Sequence, residues 1–180
     1  MIRIVILGKK GDDSIQQALL RALGKHYCIE SFSANGLIRT GGENPDLIIY
    51  DTESVARIDD TDTILIFKRN FESAESITFS PSCIAVLEES NYSAIALMLK
   101  KPNVAICCGM SSRNSLSLAS NDIGSAVVSL QRELTSFKGT TIDVGDIPVN
   151  VTRLEDQYTL MAVTAVLLLI DAPTKNRYTI

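Results

Sequence analysis

The chain has 180 residues, 46% hydrophobic and 21% charged, which fits one globular domain and excludes an intrinsically disordered chain. Its net charge of −4 and pI near 5.0 disfavour a general role on nucleic acid or on anionic membranes. Cys28, Cys83, Cys107 and Cys108 lie in or near apolar runs without C-x-x-C spacing, so they read as free thiols of a reducing, cytoplasmic compartment. Ile2–Leu7 is rich in β-branched residues and apolar apart from Arg3. That pattern predicts a central parallel strand covered on both faces. It is too short for a secretory signal. Ser14–Leu23 follows as a helix, with Ile15, Ala18, Leu19 and Ala22 at helical spacing and Gly24 as its stop.

A short strand is expected near Tyr27–Phe32. The glycine- and asparagine-rich stretch Asn35–Asn44 reads as a loop. Leu47–Tyr50 is a buried strand ending at Asp51, and Thr63–Phe67 is another. Glu72–Ser82 is polar and ambiguous. Cys83–Leu87 is a strand, Tyr92–Leu99 a helix and Val104–Cys107 a strand. Strands alternating with helices in this way predict a parallel sheet with helices on its faces.

The pattern then changes. Ser111–Ser120 and Ser125–Leu134 alternate apolar with polar, and Thr140–Val144 and Ile147–Val151 follow Gly139. These segments predict short antiparallel strands joined by turns. Tyr158–Ile170 is an apolar helix stopped near Pro173, and its apolar run is too short to span a bilayer. The tail Thr174–Ile180 is expected to be mobile or partner-dependent. The fold class is therefore α/β: a mostly parallel sheet flanked by helices, in the manner of a P-loop NTPase, with a small antiparallel layer in the C-terminal half. One domain spans 1–180: a parallel part over 1–109, an antiparallel excursion over 110–151 and a closing helix over 152–172.

The first turn carries most of the chemistry. Gly8-Lys9-Lys10-Gly11-Asp12-Asp13-Ser14 joins a strand to a helix, the frame of a phosphate-binding loop. Such a loop adds a lysine for the outer phosphates and a hydroxyl residue for magnesium. Here Asp12 and Asp13 hold those places, and Lys9 and Lys10 come too early. A carboxylate at a helix start takes up the free N–H groups itself. It also opposes a phosphate, by about 1 kcal/mol per charge pair at 4 Å in water. Ser14 remains the one residue able to serve a metal-bound phosphate.

Further along, Pro45–Glu53 forms a strand ending in Asp51 and Glu53. Ile64–Phe71 reads Ile-Leu-Ile-Phe-Lys-Arg-Asn-Phe, Ile84–Tyr92 ends in Glu88, Glu89 and Asn91, and Val104–Ser120 carries Gly109. In this order the segments resemble the central, ATP-binding domain of the Mur ligase family, whose members join amino acids to cell-wall precursors. The resemblance covers most of the chain. It sets the first turn in the place of the family's G-T-N-G-K-T-like loop, and Asp51 or Glu53 in the place of its magnesium-binding acid. Ile64–Phe71 takes the place of an N-x-x-D-H segment but lacks the histidine. Tyr158–Ala172 resembles the helix near the domain's end.

The departures lie where the family handles ATP. The resemblance further implies a central domain without the precursor-binding domain before it or the amino-acid-positioning domain after it. The expected function is a non-catalytic, Mur-ligase-like binding or regulatory module linked to cell-wall metabolism, with no catalytic residue, no metal site and no cofactor. Its partner would be a protein or a small ligand, with homo-oligomers as an option and neither nucleic acid nor membrane. Any remnant cofactor site would comprise Gly8, Lys9, Lys10, Gly11, Ser14, Asp51 and Glu53. The alternative is a divergent ATP-dependent ligase or ATPase using ATP and magnesium, with Lys9 or Lys10 as the cation and Asp51 on the metal.

Other groups carry plainer readings. Lys68 and Arg69, at a strand end, offer an anion contact, but solvated surface charge is the preferred reading. Asp59, Asp60 and Asp62 read as a solvated turn. Glu88 and Glu89 lack a partner base, and His26 is the only histidine, too little for a zinc site or a serine triad. Cys107 and Cys108 should point to opposite faces of a strand.

Overall fold

The computed structural model describes residues 1–72, 77–174 and 176–180. In chain order the elements are β1 (Ile2–Leu7), α1 (Ser14–Leu23), β2 (Ile29–Ser33), β3 (Gly36–Thr40), β4 (Leu47–Thr52), β5 (Arg57–Ile58), β6 (Thr63–Phe67), β7 (Thr78–Phe79), β8 (Ile84–Glu88) and α2 (Tyr92–Met98). They continue as β9 (Ala105–Cys108), β10 (Leu116–Asp122), β11 (Ser125–Leu130), β12 (Leu134–Thr135), β13 (Thr141–Ile142), β14 (Gly145–Asn150), α3 (Gln157–Leu169) and β15 (Tyr178–Thr179).

Eleven strands form one mixed, mostly parallel sheet in the order β15-β14-β11-β10-β9-β8-β6-β1-β4-β2-β3. β1 lies deep in this sheet, parallel to β4 on one side and β6 on the other, with Leu7 opposite both Thr52 and Phe67. The antiparallel part is continuous with the sheet: β10, β11 and β14 pair antiparallel and extend it beyond β9. β12 and β13 form a separate small hairpin.

The alternation of side chains divides the core into two layers. On one face Ile4, Ile6, Ile49, Ile64, Ile66 and Val86 pack with α1 and α3. On the other, Val5, Leu7, Leu65, Phe67 and Leu87 pack with α2 and with Phe71 and Phe79. Cys108 joins the first layer and Cys107 borders the second, as the period of two requires. α3 is buried almost all round, which is why its sequence is apolar without a polar face. Asp156 caps it by accepting from the amides of Tyr158 and Thr159.

Two expectations fail. Asn35–Asn44 is not simply a loop, because Gly36–Thr40 forms β3 and pairs antiparallel with β2. Leu37 and Ile38 there are exposed, so no apolar alternation marks the strand. The tail is not free of the fold either. β15 adds to β14 in parallel, Thr152 Oγ1 donates to the Ile180 carbonyl at 2.8 Å, and Ile180 is buried. The ambiguous stretch Glu72–Ser82 lies partly outside the described residues, and its later part contributes β7 beside β5.

Candidate functional site

The carboxyl ends of β1, β4 and β6 meet at one edge of the sheet, where open α/β folds place ligands. A cleft of about 490 Å³ opens there, lined among others by Gly8, Lys10, Gly11, Asp12 and Asp13 of the first turn. Tyr50, Asp51 and Glu53 line it from β4 and its exit, Lys68 from the end of β6, and Phe32 from β2. Of the expected site residues, Gly8, Lys10, Gly11, Asp51 and Glu53 line this cleft, whereas Lys9 and Ser14 are not among its lining residues.

The turn is occupied by the protein's own side chains. Lys9 N donates to Asn70 Oδ1 at 3.0 Å, and Lys10 N donates to Glu53 Oε1 at 3.0 Å. The two lysine heads point to carboxylates: Lys9 Nζ lies 3.0 Å from Glu72 and Lys10 Nζ 3.5 Å from Glu53. The Lys10 amide, and then its ammonium, hold the Glu53 carboxyl below its usual range. The backbone donors at Lys9 and Lys10 are thus already bonded.

Asp12 and Asp13 behave differently from one another. Asp12 Oδ1 accepts from Ser14 Oγ at 2.7 Å and from the Ser14 amide at 3.3 Å. Asp13 is the N-cap residue of α1, yet its side chain bonds none of the helix amides. Its carboxylate receives Gln17 Nε2 at 3.5 Å instead. So one aspartate, not both, satisfies a helix-start amide. The Ser14 hydroxyl is held by Asp12 and lies 3.5 Å from Thr159 Oγ1.

Lys68 is where the surface reading fails. Its side chain is 3% exposed, and Nζ lies 2.7 Å from Asp51 Oδ1, itself 8% exposed. The same ammonium donates to the Lys9 carbonyl at 3.4 Å. Burial pushes the Asp51 carboxyl up, and the Lys68 contact pulls it back only in part. The packing explains Gly8, since a Cβ there would sit 2.5 Å from Lys68 Cβ and 2.7 Å from Asn70 Oδ1. Asn70 is the site residue that sequence reasoning missed, and Lys68 is the one it placed at the solvated surface. One signal was available: Lys68 directly follows the apolar run Ile64–Phe67 and so lands beside Gly8 once β6 pairs with β1 in register.

Arg69 keeps half its surface and spans the neighbouring loops. It pairs with Glu88 at 2.8 Å and Asp156 at 3.4 Å, and its guanidinium carbon stands 6.0 Å from the Tyr158 ring centre. Glu89 serves the next loop. Its carboxylate accepts from Asn114 Nδ2 at 2.7 Å and from the Met110 amide at 2.8 Å, fastening the β9–β10 turn to the end of β8. Glu88 and Glu89 are therefore engaged in separate structural contacts. Asp60 and Asp59 pair with Arg3 and Arg57.

Asn114, followed by the Met110 amide, holds the Glu89 carboxyl below the ordinary value of 4.5. A lowered acid contributes stability that is complete above that value and is lost as pH falls through the folded one. Glu89→Gln should therefore lower the urea midpoint at neutral pH, and the two proteins should converge in acid. Unfolding curves measured across this range check it; parallel pH profiles would show that these bonds carry no charge-dependent stability.

Among the described residues no helix is long and apolar enough to cross a membrane, and no group of three metal-ligating side chains is present. No protein-family model matches the sequence, and no curated protein is similar to it in sequence. Solved structures are similar in fold. MurF ligase from Thermotoga maritima, in complex with ADP, superposes with a TM-score of 0.58 at 10% identity, over 97% of this chain and 47% of its own. A murein peptide ligase from Psychrobacter arcticus gives 0.60 at 8% identity, over 93% and 44%. FolC from E. coli, in complex with ADP, gives 0.58 at 10% identity, over 97% and 55%. The chain spans about half the length of these structures, and its α/β fold resembles the central domain of the Mur ligases.

Proposed function

We propose that this chain is a non-catalytic, Mur-ligase-like binding module whose first turn serves architecture in place of nucleotide chemistry. The observation that carries the reading is the occupation of that turn: Asn70 and Glu53 take the amides of Lys9 and Lys10, while Asp12 takes the amide and hydroxyl of Ser14. A phosphate entering the cleft would have to displace these acceptors. It would also meet four acidic side chains against two lysines, and each charge pair at 4 Å costs about 1 kcal/mol in water and more where water is excluded. The module acts through a protein partner or a small ligand. A setting in cell-wall metabolism rests on the names of the Mur ligase structures that share its fold. Four free cysteines suit a reducing cytoplasm.

Titration calorimetry with ADP or ATP and magnesium tests this reading. The expected result is no binding in the micromolar range. Micromolar binding that is lost on Ser14→Ala would overturn it.

The enzyme reading, an ATP-dependent ligase or ATPase, draws support from one observation. The cleft lies at the strand ends, and Asp51 lines it together with Lys10. Against that, Lys9 and Lys10 hold carboxylates and Asp51 holds Lys68. ATP turnover abolished by both Lys10→Ala and Asp51→Asn would establish the enzyme reading.

A further inference from the structure

A second cleft, of about 450 Å³, lies at the other end of α1, about 15 Å from the first turn along the helix axis. Its rim is cationic. Arg21, Lys25 and Arg177 line it, with His26 beside them, and none of the described lining residues is acidic. Arg21 gives one Nη to Glu155, while its Nε is buried without an acceptor among the described residues. Lys25 and Arg177 are exposed and make no ion pair among the described residues. The floor is apolar, formed by Leu23, Leu167 and Ala172 at the C-terminal ends of α1 and α3.

This arrangement is unusual in a chain of net charge −4. Three cationic side chains line one concavity, and two carboxylates of adjoining segments are already engaged. Glu155 pairs with Arg21, and Asp171 accepts from Ser136 Oγ at 2.6 Å and from Thr140 Oγ1 at 3.3 Å. The unsatisfied Nε is a donor in search of an acceptor. Guanidinium groups suit carboxylate and phosphate oxygens through paired N–H donors. The apolar floor asks for a ligand with a hydrocarbon body as well as a charged head.

We infer that this cleft is a binding site for a small amphipathic anion, with its carboxylate or phosphate head on Arg177, Lys25 and Arg21 and its apolar body over Leu23 and Leu167. The site is independent of the first turn, and its occupancy does not depend on whether that turn binds nucleotide. The β15 strand that carries Tyr178 and Thr179 lines the cleft, so a bound ligand would also brace the edge of the sheet.

Proton–nitrogen NMR titration of the whole chain tests it, with three probes: octanoate, octyl phosphate and inorganic phosphate. Octanoate or octyl phosphate should give saturable shifts in the millimolar range or tighter at the amides of Lys25, His26, Tyr178 and Thr179. The one that binds more tightly identifies the head group. Inorganic phosphate should bind more weakly than octyl phosphate, because it leaves the floor uncovered. Lys25→Ala and Arg177→Ala are exposed changes that leave the fold intact, and each should weaken binding about tenfold. Lys100→Ala, on a distant exposed segment, should change nothing. Shifts centred on Gly8–Ser14, indifference to both cleft variants, or no saturable shift with either amphiphile would overturn the assignment.

Discussion

Lys68→Ala is expected to lower the unfolding free energy by about 3–5 kcal/mol, the usual cost of leaving one member of a buried ion pair without its partner. The substitution strands Asp51, whose side chain is 8% exposed. It also removes the ammonium that donates to the Lys9 carbonyl. The loss should depend on pH. Burial already raises the Asp51 carboxyl, and without Lys68 it rises further. A raised acid holds its proton more readily in the folded state than in the unfolded one. Its ionisation therefore costs stability as pH climbs from the ordinary carboxylate range through the folded value. The variant should recover part of its deficit in mild acid.

Lys68→Met combined with Asp51→Leu removes both charges and should return most of the loss, because apolar replacements of buried pairs are often neutral. Denaturant unfolding of the wild type, the single variant and the double variant decides the matter. A single-variant cost below about 1 kcal/mol would mark the pair as water-screened, and the buried reading of the cleft floor would fall.

Tyr158 should show the next largest effect. Its hydroxyl donates to the Phe67 carbonyl at 2.6 Å and lies 3.3 Å from that of Val86, tying the start of α3 to the end of β6 and the middle of β8. Tyr158→Phe keeps the ring under Arg69 and removes only the donor, for an expected loss of about 1–3 kcal/mol. Tyr158→Ala also empties a fully buried site and should cost about 3–5 kcal/mol. The difference between the two separates the hydrogen bond from the packing. Guanidinium unfolding gives the totals. Amide exchange at Phe67 and Lys68 should quicken in the Phe variant, since the bond anchors that strand end. A silent Tyr158→Phe would show that the carbonyls find another donor at no cost.

The parallel half of the fold was legible because its strands carry their burial in their own residues. Thr63–Phe67 and Ile4–Leu7 are buried at every position, and Ile64–Phe67 and Ile4–Leu7 read as unbroken apolar runs. The helix Ser14–Leu23 was legible because its apolar residues recur at helical spacing. β3 was not legible: Leu37 and Ile38 are exposed, and the strand exists because β2 offers it a ladder. The tail was misread for a similar reason. Its strand is two residues long, and it is held by pairing with β14 and by the bonds between Thr152 and Ile180.

The site divides along the same line. The glycine turn, its two misplaced aspartates and the acids after β4 follow from residue order alone, because strand, turn and helix are neighbours in the chain. What fills the turn does not. Asn70 reaches Lys9 across 61 positions, and Lys68 reaches Asp51 from a strand end on the far side of β1. Those contacts arise only when β6 and β4 pair in register on either side of β1. The sequence by itself therefore determined the frame of a phosphate-binding loop and the residues that depart from it. The tertiary structure decided that the loop's amides are taken up from within and that a buried ion pair closes its floor, since a pairing register set over long range chooses which side chains meet.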